Sequence, residues 1–67
     1  MTIQEWLKQL RVDLGEDGRA MTQKAMAEML GVSDAAWCRW ENGQRKPPAM
    51  AVRLLEQLTG RVYDRAP

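Results

Sequence analysis

The sequence predicts an all-α fold, a compact bundle of four to five helices in one domain spanning residues 1–67. Three observations predict it. Apolar residues recur at spacings of three and four, which on a helix of 3.6 residues per turn gathers them on one face for burial. Thr2, Thr22 and Ser33, whose side-chain oxygens can accept from the first unpaired N–H groups of a helix, stand directly before those stretches. Glycine follows each stretch and breaks it.

The first helix is expected over about residues 3–14. Thr2 and Glu5 have the T-x-x-E spacing of a capping box, and Ile3, Trp6, Leu7, Leu10 and Leu14 form the inward stripe. Gly15 and the run GEDG stop it, leaving a polar loop to Met21 that is longer than a tight connection requires. Thr22 caps a second helix over Gln23–Leu30, with Met26, Met29 and Leu30 as its apolar contacts. Gly31 ends it; after Val32, the Ser33 hydroxyl caps a third helix that has Asp34 in its first turn and runs to Glu41. Two helices joined so briefly must cross steeply. Asn42 and Gly43 tolerate a left-handed backbone and end the third helix. Pro47 and Pro48 precede a fourth over Met50–Leu58, with Ala51, Leu54, Leu55 and Leu58 turned inward. The tail RVYDRAP is too short and polar for a full fifth helix.

A chain of 67 residues hides only about 60% of the surface its unfolded form exposes, so it needs a disulfide, a metal or a partner subunit for comfortable stability. The one cysteine, Cys38, has no second thiol, and without histidine there is no zinc ligand set, so neither metal nor other cofactor is expected. Self-association remains. The net charge of +1 is small for a nucleic-acid binder, but residues 1–18 hold two basic and four acidic side chains and residues 19–67 hold eight basic and five acidic. Arg39, Arg45, Lys46 and Arg53 fall close together, which describes a basic face against an acidic one. By charge alone, a merely solvated surface explains this as well as DNA binding does. The start MTIQEWLKQL is acidic and polar where an export signal needs a basic start and an apolar run. No stretch approaches the roughly 20 apolar residues of a membrane span, so a cytoplasmic protein without membrane contact is expected.

Residues 22–43, TQKAMAEMLGVSDAAWCRWENG, carry the most specific spacing. Ala27 is small where two helices approach, Gly31 permits the turn, and Val32 fills the angle between them. Trp37 and Trp40 point back into the core, which turns Asp34, Ala35, Cys38 and Arg39 outward. A rigid helix with small and polar residues on its outer face has the shape that enters a major groove. The helix-turn-helix is expected over about 22–42.

These residues resemble the Cro/CI-type helix-turn-helix family, also called the XRE family. The matching elements are Thr22-Gln23, Ala27, Glu28, Leu30-Gly31-Val32-Ser33, and Trp40-Glu41-Asn42-Gly43 followed by Arg45, Lys46 and proline. The likeness is specific over 22–46 and looser over the flanking helices, so it covers most of residues 3–60. Three features depart from the family: the loop after the first helix is longer, Trp37 stands where isoleucine or valine is usual, and the fifth helix is reduced to a tail. The resemblance implies a lambda-repressor-like fold and a sequence-specific transcriptional regulator, most simply an autoregulatory repressor. It further implies a homodimer on an inverted-repeat operator of double-stranded DNA, with residues 34–41 as the recognition helix. The W-x-x-W-E-N-G and R-K-P-P patterns are also similar to those of small phage and plasmid regulators, including anti-CRISPR-associated repressors.

The candidate DNA-binding residues are Thr22, Gln23, Lys24, Ser33, Asp34, Ala35, Ala36, Cys38, Arg39, Asn42, Arg45 and Lys46. Arg39 can give a bidentate contact to guanine O6 and N7, or pair at the surface with Glu41 or Asp34. Gln23 reads as a phosphate anchor or a plain capping-turn residue, and Arg45 and Lys46 as phosphate clamps, a minor-groove reach or a solvated turn. Asp34 can accept from cytosine N4 or act only as a helix-start charge, while Cys38 reads as a passive small residue. Dimer contacts are expected in the carboxyl-terminal helix and tail, residues 49–67, at Val52, Leu55, Val62 and Tyr63. No nucleophile with a base, paired carboxylates or metal set is evident, so no catalytic residue and no small-molecule ligand are expected. The alternative class is an antitoxin or other interaction protein that binds a protein partner and uses DNA binding secondarily.

Overall fold

Every helix starts where local chemistry can serve its first turn. The computed structural model describes residues 2–63; Met1 and residues 64–67, the end of the expected dimerisation tail, lie outside them. The elements are α1 (Ile3–Asp13), α2 (Gln23–Leu30), α3 (Asp34–Glu41) and α4 (Ala49–Thr59), with no strand among the described residues. The fold is the all-α bundle the periodicity predicts. Thr2 Oγ1 accepts from the Glu5 N–H at 3.2 Å while the Thr2 N–H donates to Glu5 Oε1 at 3.2 Å, closing the capping box. Thr22 and Ser33 accept from the Ala25 and Ala36 N–H groups at 3.0 and 3.1 Å. Pro48, with its fixed φ of −60°, opens α4 without a side-chain cap. Helix ends differ slightly from the sequence reading: Leu14 is a cap rather than helix, and α4 gains Ala49 and Thr59.

Gly31 adopts the left-handed backbone (φ 76°) that the α2–α3 turn needs, and the Val32 N–H returns to the Ala27 carbonyl at 2.9 Å. The loop after α1 is more structured than its polarity suggests. Asp17 (φ 53°) helps to turn the chain so that the Arg19 N–H reaches the Glu16 carbonyl at 2.9 Å. At Gly15 a Cβ would lie 1.8 Å from the Arg19 carbonyl oxygen, so this glycine is required by close backbone approach.

The core is Trp6, Leu7 and Leu10 from α1, Met26 and Ala27 from α2, Trp37 and Trp40 from α3, and Val52 and Leu55 from α4. Two expectations are corrected here. Val52 and Leu55, read as dimer contacts, are 4% and 0% exposed and belong to the monomer's own core. Leu54 and Leu58, read as inward, are exposed, as is Met29 on the outer side of α2. Tyr63 packs against Trp6 with ring centroids 5.4 Å apart and keeps part of its surface open. One cause underlies the changes at the carboxyl end. Gly60 (φ 71°) turns the chain back toward α1, where Arg61 pairs with Asp13 at 2.6 Å and the Tyr63 ring packs at a tilt against Trp6. The segment therefore straps α1 instead of covering the Met50, Leu54 and Leu58 edge of α4. Val62 alone of the four expected dimer residues stands fully open.

Candidate nucleic-acid interface

The third helix presents its outer face because its inner face is heavily committed. Trp37 and Trp40 are buried with ring centroids 5.9 Å apart, and Glu41 is 2% exposed. Asp34, Ala35, Arg39 and Asn42 are exposed on the other side, and Cys38 is half-buried. Ala36 leans toward the core, so it presents less to a groove than its neighbours. Asn42 Nδ2 donates to Cys38 Sγ at 3.3 Å, which accounts for both side chains locally. The Ser33 oxygen is engaged as the helix cap.

Glu41 is unavailable as a surface partner for Arg39. Its carboxylate takes a forked pair of hydrogen bonds from Arg11, Nε to Oε2 at 2.6 Å and NH2 to Oε1 at 2.9 Å, and Trp37 Nε1 also donates to Oε2. With both oxygens occupied and buried, Glu41 is closed to Arg39. No acidic side chain pairs with Arg39 among the described residues. Its guanidinium is exposed and ready for an outside acceptor.

Arg11 also reaches the second helix. Its NH1 donates to the Met21 carbonyl at 3.0 Å, and the Met21 N–H donates back to the Arg11 carbonyl at 2.8 Å. Met21 directly precedes the Thr22 cap, so this pair fixes where α2 begins. Thr22 and Lys24 are exposed there and Gln23 is half-buried. The positive end of the helix dipole and the first free N–H groups make this end suited to a phosphate. Beyond α3, Arg45 and Lys46 are exposed, and the Gln44 and Arg45 N–H groups bond the Arg39 carbonyl at 2.9 and 3.3 Å. The basic turn is thus folded onto the end of α3. Most of the expected residues of α2, α3 and this turn stand outward on one two-helix unit, with Gln23, Ala36 and Cys38 half-buried, whereas Val52 and Leu55 are drawn into the monomer.

Sequence reasoning passed over Arg11, Met21 and Glu41 as a connected set. A signal existed: Glu41 follows Trp37 by four residues, the spacing that places a carboxylate beside an indole N–H on one helix face. Arg11 lies four residues after the buried Leu7, which puts its stem beside the core.

Two short helices, a left-handed glycine between them and a second helix whose outer face is open define a helix-turn-helix protein. A family described as a helix-turn-helix domain matches residues 5–64, and the chain belongs to that family. No curated protein and no solved structure matches it. No helix among the described residues is long and apolar enough to cross a membrane.

Proposed function

We propose that the chain is a sequence-specific DNA-binding transcriptional regulator of the Cro/CI type, a repressor that lays α3 in the major groove of an inverted-repeat operator as a homodimer. The observation that carries this reading is the two-sided character of α3: Trp37, Trp40 and Glu41 are buried while Asp34, Ala35 and Arg39 are exposed and Arg39 has no acidic partner among the described residues. Ala35 lets the helix backbone approach base edges, Arg39 donates to guanine, and Asp34 accepts from cytosine or avoids the wrong base. Thr22, Gln23 and Lys24 meet one phosphate strand, and Arg45 and Lys46 meet the backbone beyond the reading helix. The narrower likeness to small phage and plasmid repressors rests on the W-x-x-W-E-N-G and R-K-P-P patterns.

A homodimer follows from the arithmetic of readout. One short helix reads only a few base pairs, each worth about 1–3 kcal/mol, which falls short of useful selectivity unless two copies act together. Met50 (79% exposed) and Leu58 (51% exposed), with Leu54 between them on α4, are the apolar surface that supports pairing. Selecting duplexes from a random pool, followed by mobility shift and sedimentation, tests the reading. The expected result is an inverted repeat with half-site centres about 34 Å apart, bound by two chains. Enrichment of no sequence overturns DNA readout, and full affinity of one chain for one half-site overturns the dimer.

A further inference from the structure

We propose that Arg11 is a positioning residue for sequence discrimination: it locks the reading helix α3 and the phosphate-facing start of α2 into one rigid frame. The inference rests on the DNA-binding reading above. One guanidinium makes both connections, forking onto the Glu41 carboxylate at the end of α3 and donating to the Met21 carbonyl just before the α2 cap. Trp37, on the same helix, donates to the same carboxylate and so holds in place the group that the fork grips. Without Arg11, α3 is anchored near its start by the Val32 N–H to Ala27 carbonyl bond of the turn, leaving its far end held by packing alone.

The lever is long enough to matter. An eight-residue α3 is about 12 Å long, so a swing of about 10° around Ser33 moves the Glu41 end by about 2 Å. Arg39 lies at that end. Hydrogen bonds to base edges need placement within about 0.5 Å, whereas phosphate contacts from flexible lysines and arginines follow such a shift. Loosening the frame therefore removes discrimination and spares general attraction. A buried ion pair is in any case a poor source of net stability, because desolvation offsets its Coulomb attraction, so a geometric role fits it better.

Arg11→Lys is the decisive variant, since an ammonium keeps the charge but cannot hold two carboxylate oxygens and a carbonyl in one planar fork. Leu55→Val serves as a control that weakens the core away from the frame. Both are assayed, at temperatures where circular dichroism shows them folded, against the duplex selected by the wild type and a scrambled duplex. The expected result is that Arg11→Lys lowers the selected-to-scrambled affinity ratio about tenfold while leaving the salt slope on scrambled DNA unchanged. Leu55→Val leaves the ratio unchanged. A ratio unchanged in Arg11→Lys, or lowered equally by Leu55→Val, overturns the proposal while the DNA reading stands. A wild type with no sequence preference overturns both. Amide hydrogen exchange without DNA supplies a second readout: Arg11→Lys should speed exchange at Trp37–Asn42 more than at Val32 or in α4, and a uniform change counts against the frame.

Discussion

Truncating Trp37 tests whether α3 is built from the inside. The indole is 0% exposed and donates to the buried Glu41 carboxylate. Removing a buried aromatic side chain to alanine costs about 3–5 kcal/mol, and depriving a buried carboxylate of a donor adds about 1–3 kcal/mol. A domain of 67 residues has about 3–10 kcal/mol of stability at typical values per residue. Trp37→Ala should therefore leave much of the population unfolded at room temperature. Trp37→Phe keeps most of the ring and loses the N–H, so it should fold with stability reduced by about 1–3 kcal/mol. Urea denaturation followed by circular dichroism measures both, with the slope checked against wild type so that a change in midpoint reports stability. A cooperative Trp37→Ala transition within about 1 kcal/mol of wild type would refute the reasoning, because it would mean that neither packing nor the Glu41 contact holds α3.

Arg39→Ala should weaken binding to the selected duplex and relax preference at one position per half-site, whereas Lys46→Ala should weaken binding to all duplexes and flatten the salt slope; equal effects of both on both DNAs would sink this division. Gly15→Ala should destabilise the fold by about 1–3 kcal/mol because the new Cβ meets the Arg19 carbonyl oxygen at 1.8 Å, and a midpoint unchanged in denaturant would show that the loop yields freely. The Thr2 backbone N–H, and then its hydroxyl, hold the Glu5 carboxyl below its ordinary value of 4.5, so its contribution to stability is present above that value and is lost as pH falls through the lowered one. Glu5→Gln should accordingly flatten the acid side of the stability profile, and identical profiles in the two proteins would contradict the capping box as a charged contact.

What was legible in the sequence is what is local. The caps at Thr2, Thr22 and Ser33 act over three residues, so the helix starts can be read without knowing the rest of the fold. The outward face of α3 was legible for a related reason: two tryptophans three apart leave little doubt about which side is buried, and the opposite side follows from the period. On α4 the same logic runs out. Met50, Ala51, Val52, Leu54, Leu55 and Leu58 wrap more than one face, so the periodicity admits several rotations and the neighbours choose among them. Here the choice falls on Val52 and Leu55, and the segment after Gly60, tied to α4 through the Tyr63 N–H on Glu56, reaches across to Trp6 and Asp13 of α1. The Arg11 to Glu41 fork is less legible still, joining groups 30 residues apart. Each member alone reads as an ordinary surface charge, and only the helix crossing makes a buried carboxylate possible. The outer face of α3 thus follows from a local period, while the frame proposed to hold it depends on a contact between residues far apart in the chain.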